Sequence, residues 1–331
     1  MKVMKNPRIL ISMLCLGLMF AAGRAQSLEE ARQLYNDGGA AAGGGDLQTA
    51  IDKFTACLDM CQTLQKDEED ADVEDLQTTV EKALPVLYYQ FCTEKLKDKD
   101  IKGGLELAYK AKEAAEEYGD DDTRDKVNAI IPQIHYAIGA SYYKNENLDK
   151  SLAEMEKAIK VDSNYSKAYY LEAVIYKKQG NDDKLVETAK KGIAAAKAEN
   201  DAKTEQNLTN LVSTHFLKKG NDAKDAGKYD EAIVNLKKSL IFDSENSTTY
   251  FLLTTVYDSK KEWDNVIESA NEGLKYEQGN EDAKARFYYE LGNAYYGKGD
   301  NSAACDAYSK AAVGSFLQNA KYQMEQVVKC Q

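Results

Sequence analysis

The cysteines and histidines of this chain could support redox or metal chemistry, and they are few. The sequence holds six cysteines and two histidines. Cys57 and Cys61 lie one helical turn apart, but no histidine or second cysteine pair stands near them to complete a tetrahedral zinc site. No metal site is therefore predicted. Disulfide formation and burial as small residues both remain open for Cys57, Cys61 and Cys92, and pairing remains open for Cys305 with Cys330.

Catalytic chemistry finds little support in the residue pattern. His135 and His215 are expected to pack half-buried on helices rather than to act as acids or bases. No nucleophile elbow, zinc-protease motif or dinucleotide fingerprint occurs. After the glycine-rich stretch GGAAAGGG, Asp46 and Leu47 stand where a phosphate-binding loop needs Lys and Ser or Thr. We expect no cofactor and no enzyme activity, with a hydrolase built from convergent carboxylates as a remote alternative.

Carboxylates are concentrated between Gln65 and Leu84. The acidic residues of this insert are Asp67, Glu68, Glu69, Asp70, Asp72, Glu74 and Asp75. The spacing and glycine of a calcium-binding EF-hand are absent, so a solvated face or loop is favoured, and ion binding stays open. The whole chain carries 43 basic and 55 acidic residues, a net charge of -12. This balance disfavours a nucleic acid or an anionic membrane as partner.

The elements that position these residues are predicted to be helices. The chain has only three prolines and no sustained run of alternating β-branched residues. In the stretch from Ala285 to Ala311, the small residues Gly292 and Ala304 alternate with large ones at helical spacings on both sides of a Gly-Asp break at Gly299. This pattern predicts a helix, a tight turn and a second helix that packs closely where side chains are small.

The same pattern resembles the tetratricopeptide repeat family, and it recurs at intervals of 34 residues or slightly more. The resemblance gives seven repeats, at about 31–64, 85–118, 132–165, 166–199, 213–246, 247–280 and 285–318, and a capping helix at 319–331. It implies an all-α fold, a right-handed α-solenoid of stacked helix-turn-helix units. The first helix of the first repeat is expected to be frayed, because each glycine costs up to ~1 kcal/mol in a helix.

The N-terminal segment differs from the repeats. Lys2, Lys5 and Arg8 precede an apolar run from Ile9 to Ala22 and small residues that end at Ala25. This is the pattern of a bacterial secretory signal, residues 1–25, and the run is shorter than the ~20 residues of a spanning helix. Residues 26–331 are therefore expected to form an exported repeat array, periplasmic or associated with the cell envelope, without an integral membrane segment.

The resemblance also implies where a partner binds. The fifth position of each first helix faces the concave side in this family, which here gives Tyr35, Tyr89, Tyr136, Tyr170, Leu217, Phe251 and Tyr289. The candidate binding residues are Tyr89, Tyr136, Tyr143, Lys144, Tyr170, Lys177, Phe251, Arg286, Tyr289, Asn293 and Tyr296. Tyrosine suits extended peptides and sugar rings alike, and ordinary packing is the alternative role for the row. A basic, aromatic groove would favour an acidic or carboxylate-bearing ligand.

The predicted function is a non-catalytic scaffold of the bacterial cell envelope that binds a partner protein or peptide in this groove. A glycan-binding or cell-wall-binding module that uses the same groove is the alternative. The identity of the partner and the oligomeric state stay open.

Overall fold

A computed structural model describes residues 25, 27–67 and 70–330, and the regular structure in those ranges is helical throughout. The expected secretory signal lies outside the described residues apart from Ala25. Over the part of the chain that is described, no helix has both the length and the apolarity needed to cross a membrane.

The helices follow one another with short turns between them. They are α1 (27–43), α2 (Leu47–Asp67), α3 (Ala71–Lys97), α4 (Ile101–Tyr118), α5 (Asp121–Lys144), α6 (Leu148–Val161), α7 (Ser166–Gln179), α8 (Asp182–Ala198), α9 (Ala202–Asp225), α10 (Tyr229–Phe242), α11 (Ser247–Lys260), α12 (Trp263–Tyr276), α13 (Glu281–Gly297), α14 (Asn301–Ala311) and α15 (Leu317–Tyr322). A 3₁₀ turn, Gly314–Phe316, precedes α15, and a π-helix, Gln323–Val328, follows it.

The chain divides into two compact units. Unit 1 ends at Ser163 and unit 2 runs from Asn164 to Gln331. Within unit 1 the consecutive helices from α2 to α6 pack against one another, and within unit 2 the consecutive helices from α7 to α14 do the same. The prediction of an all-α fold made of consecutive packed helix pairs is therefore confirmed.

Polar caps fix where the helices begin. The N-cap side chains that accept a hydrogen bond from the amide three residues on are Asp100, Asp120, Asn147, Asn181, Asp201, Asn246, Asn280 and Asp300. Each bond satisfies an amide that the first helical turn leaves without a partner. Gly299 precedes the last of these caps with φ 82°, a conformation that glycine adopts without a Cβ clash. The Gly-Asp break in the sequence is thus the turn between α13 and α14.

Small residues are buried at two positions of the 34-residue register. The eighth positions, all buried, are Gly38, Cys92, Gly139, Ala173, Gly220, Thr254 and Gly292. The twenty-seventh positions, also all buried, are Cys57, Ala111, Ala158, Gly192, Ser239, Gly273 and Ala311. Close helix packing needs small side chains at these positions. This requirement explains why Cys57 and Cys92 are fully buried free thiols.

Packing overrides local helix propensity at the glycine-rich end of α1. The expectation of a frayed helix is wrong, since residues 27–43 are helical. Gly38 lies directly against the ring of Phe54, where an added Cβ would stand 3.1 Å from two ring atoms. The glycine allows α1 and α2 to approach closely, and this contact outweighs its cost to the isolated helix.

The part of the acidic insert that the structure describes, residues 65–67 and 70–84, is almost entirely helical rather than a loop. The carboxylate of Asp70 caps α3, which runs 27 residues from Ala71 and contains Pro85. Likewise, α5 runs 24 residues from Asp121 and contains Pro132. The predicted repeats begin at these two prolines, whereas the helices begin about a dozen residues earlier. The first helices of these two repeats are therefore extended at their N-terminal ends.

The C-terminal cap differs from the single amphipathic helix expected at 319–331. It consists of the 3₁₀ turn, α15 and the π-helix, and Lys329 ends it in the left-handed conformation. Ala320 and Val328 are buried in this segment. A disulfide bond joins Cys305 of α14 to Cys330, which resolves the pairing left open by the sequence.

Ion pairs link consecutive helix pairs in unit 2. Each joins an aspartate near the start of a second helix to a lysine in the second half of the following first helix or directly after it. The pairs are Asp182 with Lys219, Asp230 with Lys260, and Asp264 with Lys298. The two partners of these pairs are 37, 30 and 34 residues apart in sequence, close to the repeat length.

Candidate functional site

The seven fifth-position residues share one environment. In unit 1, Tyr35, Tyr89 and Tyr136 are half-buried, and in unit 2, Tyr170, Leu217, Phe251 and Tyr289 are half-buried. Tyr35 packs on Phe54 with ring centroids 5.5 Å apart. Each side chain thus combines packing with partial exposure, which is compatible with both roles considered from the sequence.

The other predicted residues lie on three helices, α5, α7 and α13. Tyr143 is half-buried and Lys144 exposed at the end of α5, while Lys177 is half-buried near the end of α7. On α13, Asn293 is half-buried and Tyr296 is 42% exposed. The structure brings the predicted residues of α11 and α13 together in unit 2.

A cleft of about 460 Å³ lies between α11 and α13. Its lining residues are Ser247, Thr248, Phe251, Glu277, Asn280, Asp282, Ala283, Arg286 and Phe316. Two of these, Phe251 and Arg286, belong to the predicted set. The cleft therefore combines aromatic side chains with one cation and two carboxylates.

Arg286 is held in place inside this cleft. Its guanidinium carbon lies 4.5 Å from the centroid of the Phe251 ring, a cation–π distance. One guanidinium nitrogen pairs with Glu277 at 2.5 Å, and Nε donates to the carbonyl of Ala283 at 3.1 Å. Arg286 therefore serves first as the internal counter-ion of Glu277.

The Glu277 carboxylate accepts hydrogen bonds from several groups. Its side chain is only 9% exposed. Burial alone raises its pKa, but hydrogen bonds from the Gly279 amide, Arg286 and Ser247 outweigh burial and hold the pKa below its usual value. The ionised carboxylate thus joins the start of α11 to the start of α13.

Asp282 binds a main-chain amide on the opposite side of the cleft. Its Oδ1 accepts from the Ser315 amide at 2.6 Å and from the Ser315 hydroxyl at 3.0 Å. Phe316, the next residue, packs its ring 5.6 Å from that of Tyr289. The C-terminal cap therefore forms one wall of the cleft.

A second polar group lies further along α13. The hydroxyl of buried Tyr308 donates to Asn293 Oδ1 at 2.8 Å, and Asn293 Nδ2 donates to Glu290 at 3.0 Å. Burial and the nearby charge of Asp258 raise the pKa of Glu290 to about 7, against the hydrogen bond from Asn293. Burial also raises the pKa of Asp258. This pair of carboxylates resists full ionisation at neutral pH.

The histidines are engaged in structural contacts. His135 is 2% exposed, deeper than the half-buried position expected, and its Nδ1 donates to Glu154 at 2.6 Å. The hydroxyl of Tyr109 lies 2.9 Å from Nε2. His215 contacts Asp182 at 2.9 Å.

Within the described ranges, no cluster of three or more histidine, cysteine or carboxylate side chains could hold a metal ion.

Sequence reasoning missed five acidic or aromatic residues of this region: Asp258, Glu277, Asp282, Glu290 and Phe316. One of them carried a usable signal, because Asp258 occupies the twelfth position of its repeat, which faces the groove in the resembled family. Phe316 lies past the second helix of the last repeat, where the register assigns no role.

Two segments of the chain match a known repeat family. A family model described as tetratricopeptide repeat matches residues 132–165 and 285–312. No match was found among curated protein sequences.

Several solved structures are similar over part of the chain. A MamA structure is 21% identical, covers 60% of this chain and 97% of its own, and has a TM-score of 0.31. YrrB, described as a TPR protein with an unusual peptide-binding site, is 16% identical, with coverages of 63% and 96% and a TM-score of 0.30. PilW, described as a type IV pilus biogenesis factor, is 14% identical, with coverages of 58% and 98% and a TM-score of 0.30. These scores are low, so the repeat assignment rests on the family model and on the helix packing.

Proposed function

Because residues 132–165 and 285–312 are tetratricopeptide repeats, we propose that this protein is a non-catalytic scaffold that binds an extended segment of a partner protein. In unit 2 the binding surface is formed by the first helices of the repeats and includes the cleft between α11 and α13. The half-buried residues at the fifth positions extend the surface along each unit.

The cleft carries this proposal because its chemistry suits a peptide. Phe251 and Phe316 offer apolar contact for one side chain of the ligand. Asp282 already accepts a hydrogen bond from a main-chain amide, that of Ser315. A partner segment in an extended conformation presents amides of the same kind.

The local charges do not favour an acidic ligand in this cleft. Arg286 is paired with Glu277, and Asp282 adds a second carboxylate. An acidic segment would meet more negative than positive charge here, at a cost in affinity. We therefore propose that the partner is anchored by an apolar side chain and by main-chain hydrogen bonds.

We further propose that the protein acts outside the cytoplasm, in the periplasm or at the cell envelope. The secretory pattern of residues 1–25 supports this location. The disulfide between Cys305 and Cys330 also supports it, because such bonds persist in oxidising compartments.

The glycan-binding alternative has less support from the ring contacts. The Tyr289 ring contacts the rings of both Tyr308 and Phe316, with centroids 5.6 Å apart in each case, and Phe251 carries the Arg286 guanidinium on its face. Sugar stacking needs an open aromatic face, and these two rings are already engaged within the protein.

A substitution at the mouth of the cleft tests the peptide-binding proposal. Thr248 is exposed, is the second residue of α11 and lines the cleft, so Thr248→Arg should obstruct it. Affinity capture from a cell-envelope extract should lose a specific partner by about 10-fold or more, as expected when a buried anchor is displaced.

The matched control is Ser302→Arg, which places the same side chain at the exposed second residue of α14, away from the cleft lining. It should capture the partner as the unaltered protein does. Equal capture by the two variants would move the binding site elsewhere.

A further inference from the structure

The last repeat is covered by a segment that this protein supplies itself. We call Val313–Cys330 the C-terminal strap. After α14 it runs through the 3₁₀ turn against α13, and its α15 and π-helical parts pack on α14. It therefore covers both helices of the last pair.

One end of the strap is held by hydrogen bonds. The Ser315 amide and hydroxyl donate to Asp282, and Phe316 packs on Tyr289. Gly314 lies so close to Asp282, with φ 47°, that a side chain there would collide with the carboxylate. This end is fitted to the surface of α13.

The other end is held by a covalent bond. Cys330, two residues after the π-helix, is joined to Cys305 on α14, 25 residues earlier. Between the two ends, only Ala320 and Val328 of the strap are buried. A six-residue helix followed by one π-helical turn is too short to be stable by itself, so the disulfide contributes much of the attachment.

We propose that the Cys305–Cys330 disulfide is a redox lock on the strap, so that reduction releases α15 and the π-helix from α14 while the rest of unit 2 stays folded. The reductant is a dithiol. One of its thiolates attacks a sulfur of the protein disulfide and forms a mixed disulfide, which its second thiol resolves. Two electrons pass to the protein, Cys305 and Cys330 become thiols, and the reductant leaves as a disulfide.

The other cysteines that the structure describes do not compete with this pair in thiol–disulfide exchange. Cys57, Cys61 and Cys92 are fully buried. Burial raises the pKa of Cys57 to about 12 and that of Cys92 to about 11, so neither forms the thiolate that exchange requires. Cys305 and Cys330 are only half-buried, and they lie in unit 2.

Release of the strap would also change the cleft. Phe316 forms one of its walls and partly covers Tyr289. A loosened strap would open this end of the cleft to a longer partner segment. This consequence rests on the proposed function, whereas the lock itself does not.

Peptide mapping and hydrogen exchange without any partner test the lock. Alkylation and digestion of the unreduced protein should yield a disulfide-linked peptide pair that contains Cys305 and Cys330. With dithiothreitol, the amides of residues 317–328 should exchange about 100-fold faster, as expected from losing a loop closure of this length. Exchange in α7 to α12 should stay unchanged.

The double variant Cys305→Ser/Cys330→Ser is the control. It should exchange at the reduced rate in residues 317–328 and show no further response to dithiothreitol. Three results would overturn the lock: no linked peptide pair, unchanged protection of residues 317–328 after reduction, or an equal loss of protection across α7 to α12. Because no partner is present, these results are independent of the Thr248→Arg experiment.

Discussion

The two segments that match the repeat family, in α5–α6 and in α13–α14, share one packing device and differ in their polar chemistry. Gly139 receives Met155 in the first, and Gly292 receives the ring of Tyr308 in the second. Beside these contacts, Glu154 is paired with Lys157 and hydrogen-bonded to His135, whereas Glu290 lies near another carboxylate, Asp258. The repeat pattern thus fixes the small positions and leaves the neighbouring polar positions free to vary.

For this reason the pKa values of the two glutamates are shifted in opposite directions. Burial raises the pKa of Glu154, but hydrogen bonds from Lys157 and His135 outweigh it, so the pKa lies below its usual value. Burial and Asp258 raise the pKa of Glu290 to about 7. One repeat therefore gains stability from an ionised glutamate, and the other loses stability when its glutamate ionises.

The largest expected effect comes from removing the imidazole of the first repeat. His135→Ala deletes a buried ring and leaves Glu154 without one of its two partners. We expect a loss of about 3 kcal/mol in the free energy of unfolding, measured by urea denaturation followed by circular dichroism.

His215→Ala is the comparison variant. Asp182 keeps Lys219 when His215 is removed, and His215 is 15% exposed, so a loss of about 1 kcal/mol is expected. Equal losses for the two variants would show that the His135 contacts contribute no more than a half-buried histidine does.

The next effect is a gain in stability at neutral pH. The pKa of Glu290 in the folded state, about 7, lies above its unfolded value of about 4.3. The contribution of Glu290 to the free energy of unfolding is therefore complete below about pH 4 and is lost as the pH rises through about 7. Glu290→Gln removes the ionisation, so it should be more stable than the unaltered protein by about 2 kcal/mol at about pH 8 and similar to it at about pH 4.

Glu154→Gln should show the opposite sign. The lowered pKa of Glu154 stabilises the folded state above the unfolded pKa, and this contribution is lost as the pH falls. The glutamine variant should therefore be less stable at neutral pH and approach the unaltered protein in acid. Thermal denaturation across this pH range checks both variants, and parallel pH profiles would refute the contrast.

The smallest expected effect tests the shared packing device. A Cβ at position 292 would lie 2.6 Å from two atoms of the Tyr308 ring, which is buried and hydrogen-bonded to Asn293. At position 139 it would meet the terminal methyl of Met155, a flexible side chain. After the gain in helix propensity, we expect Gly292→Ala to lose about 1 to 2 kcal/mol and Gly139→Ala less than about 0.5 kcal/mol.

Urea denaturation of the two alanine variants measures this difference. If Gly139→Ala were the more damaging change, the rigidity of the Tyr308 ring would not be the deciding factor.

Much of the fold could be predicted from the sequence because it depends on spacing. Small residues at the eighth and twenty-seventh positions, and Asp or Asn at the helix starts, report directly on local packing and capping. The buried Cys57 and Cys92 follow the same rule, and the row that includes Tyr170 and Tyr289 is half-buried in both units.

The cleft could not be predicted in the same way, because its contacts join side chains from separate helices. The pairing of Arg286 with Glu277 depends on the direction in which the chain leaves α12. The position of Phe316 depends on a cap that does not follow the repeat pattern. Whether the predicted row binds a partner remains a prediction.

The ion pairs between consecutive helix pairs of unit 2 have a consequence for how such an array changes length. The pairs Asp230 with Lys260 and Asp264 with Lys298 each join one helix pair to the next at about the repeat spacing. If a whole repeat of this kind were duplicated or deleted, the new neighbours would again place an aspartate beside a lysine. The linkage is thus inherited with the repeat, and these ion pairs are kept when the number of repeats changes.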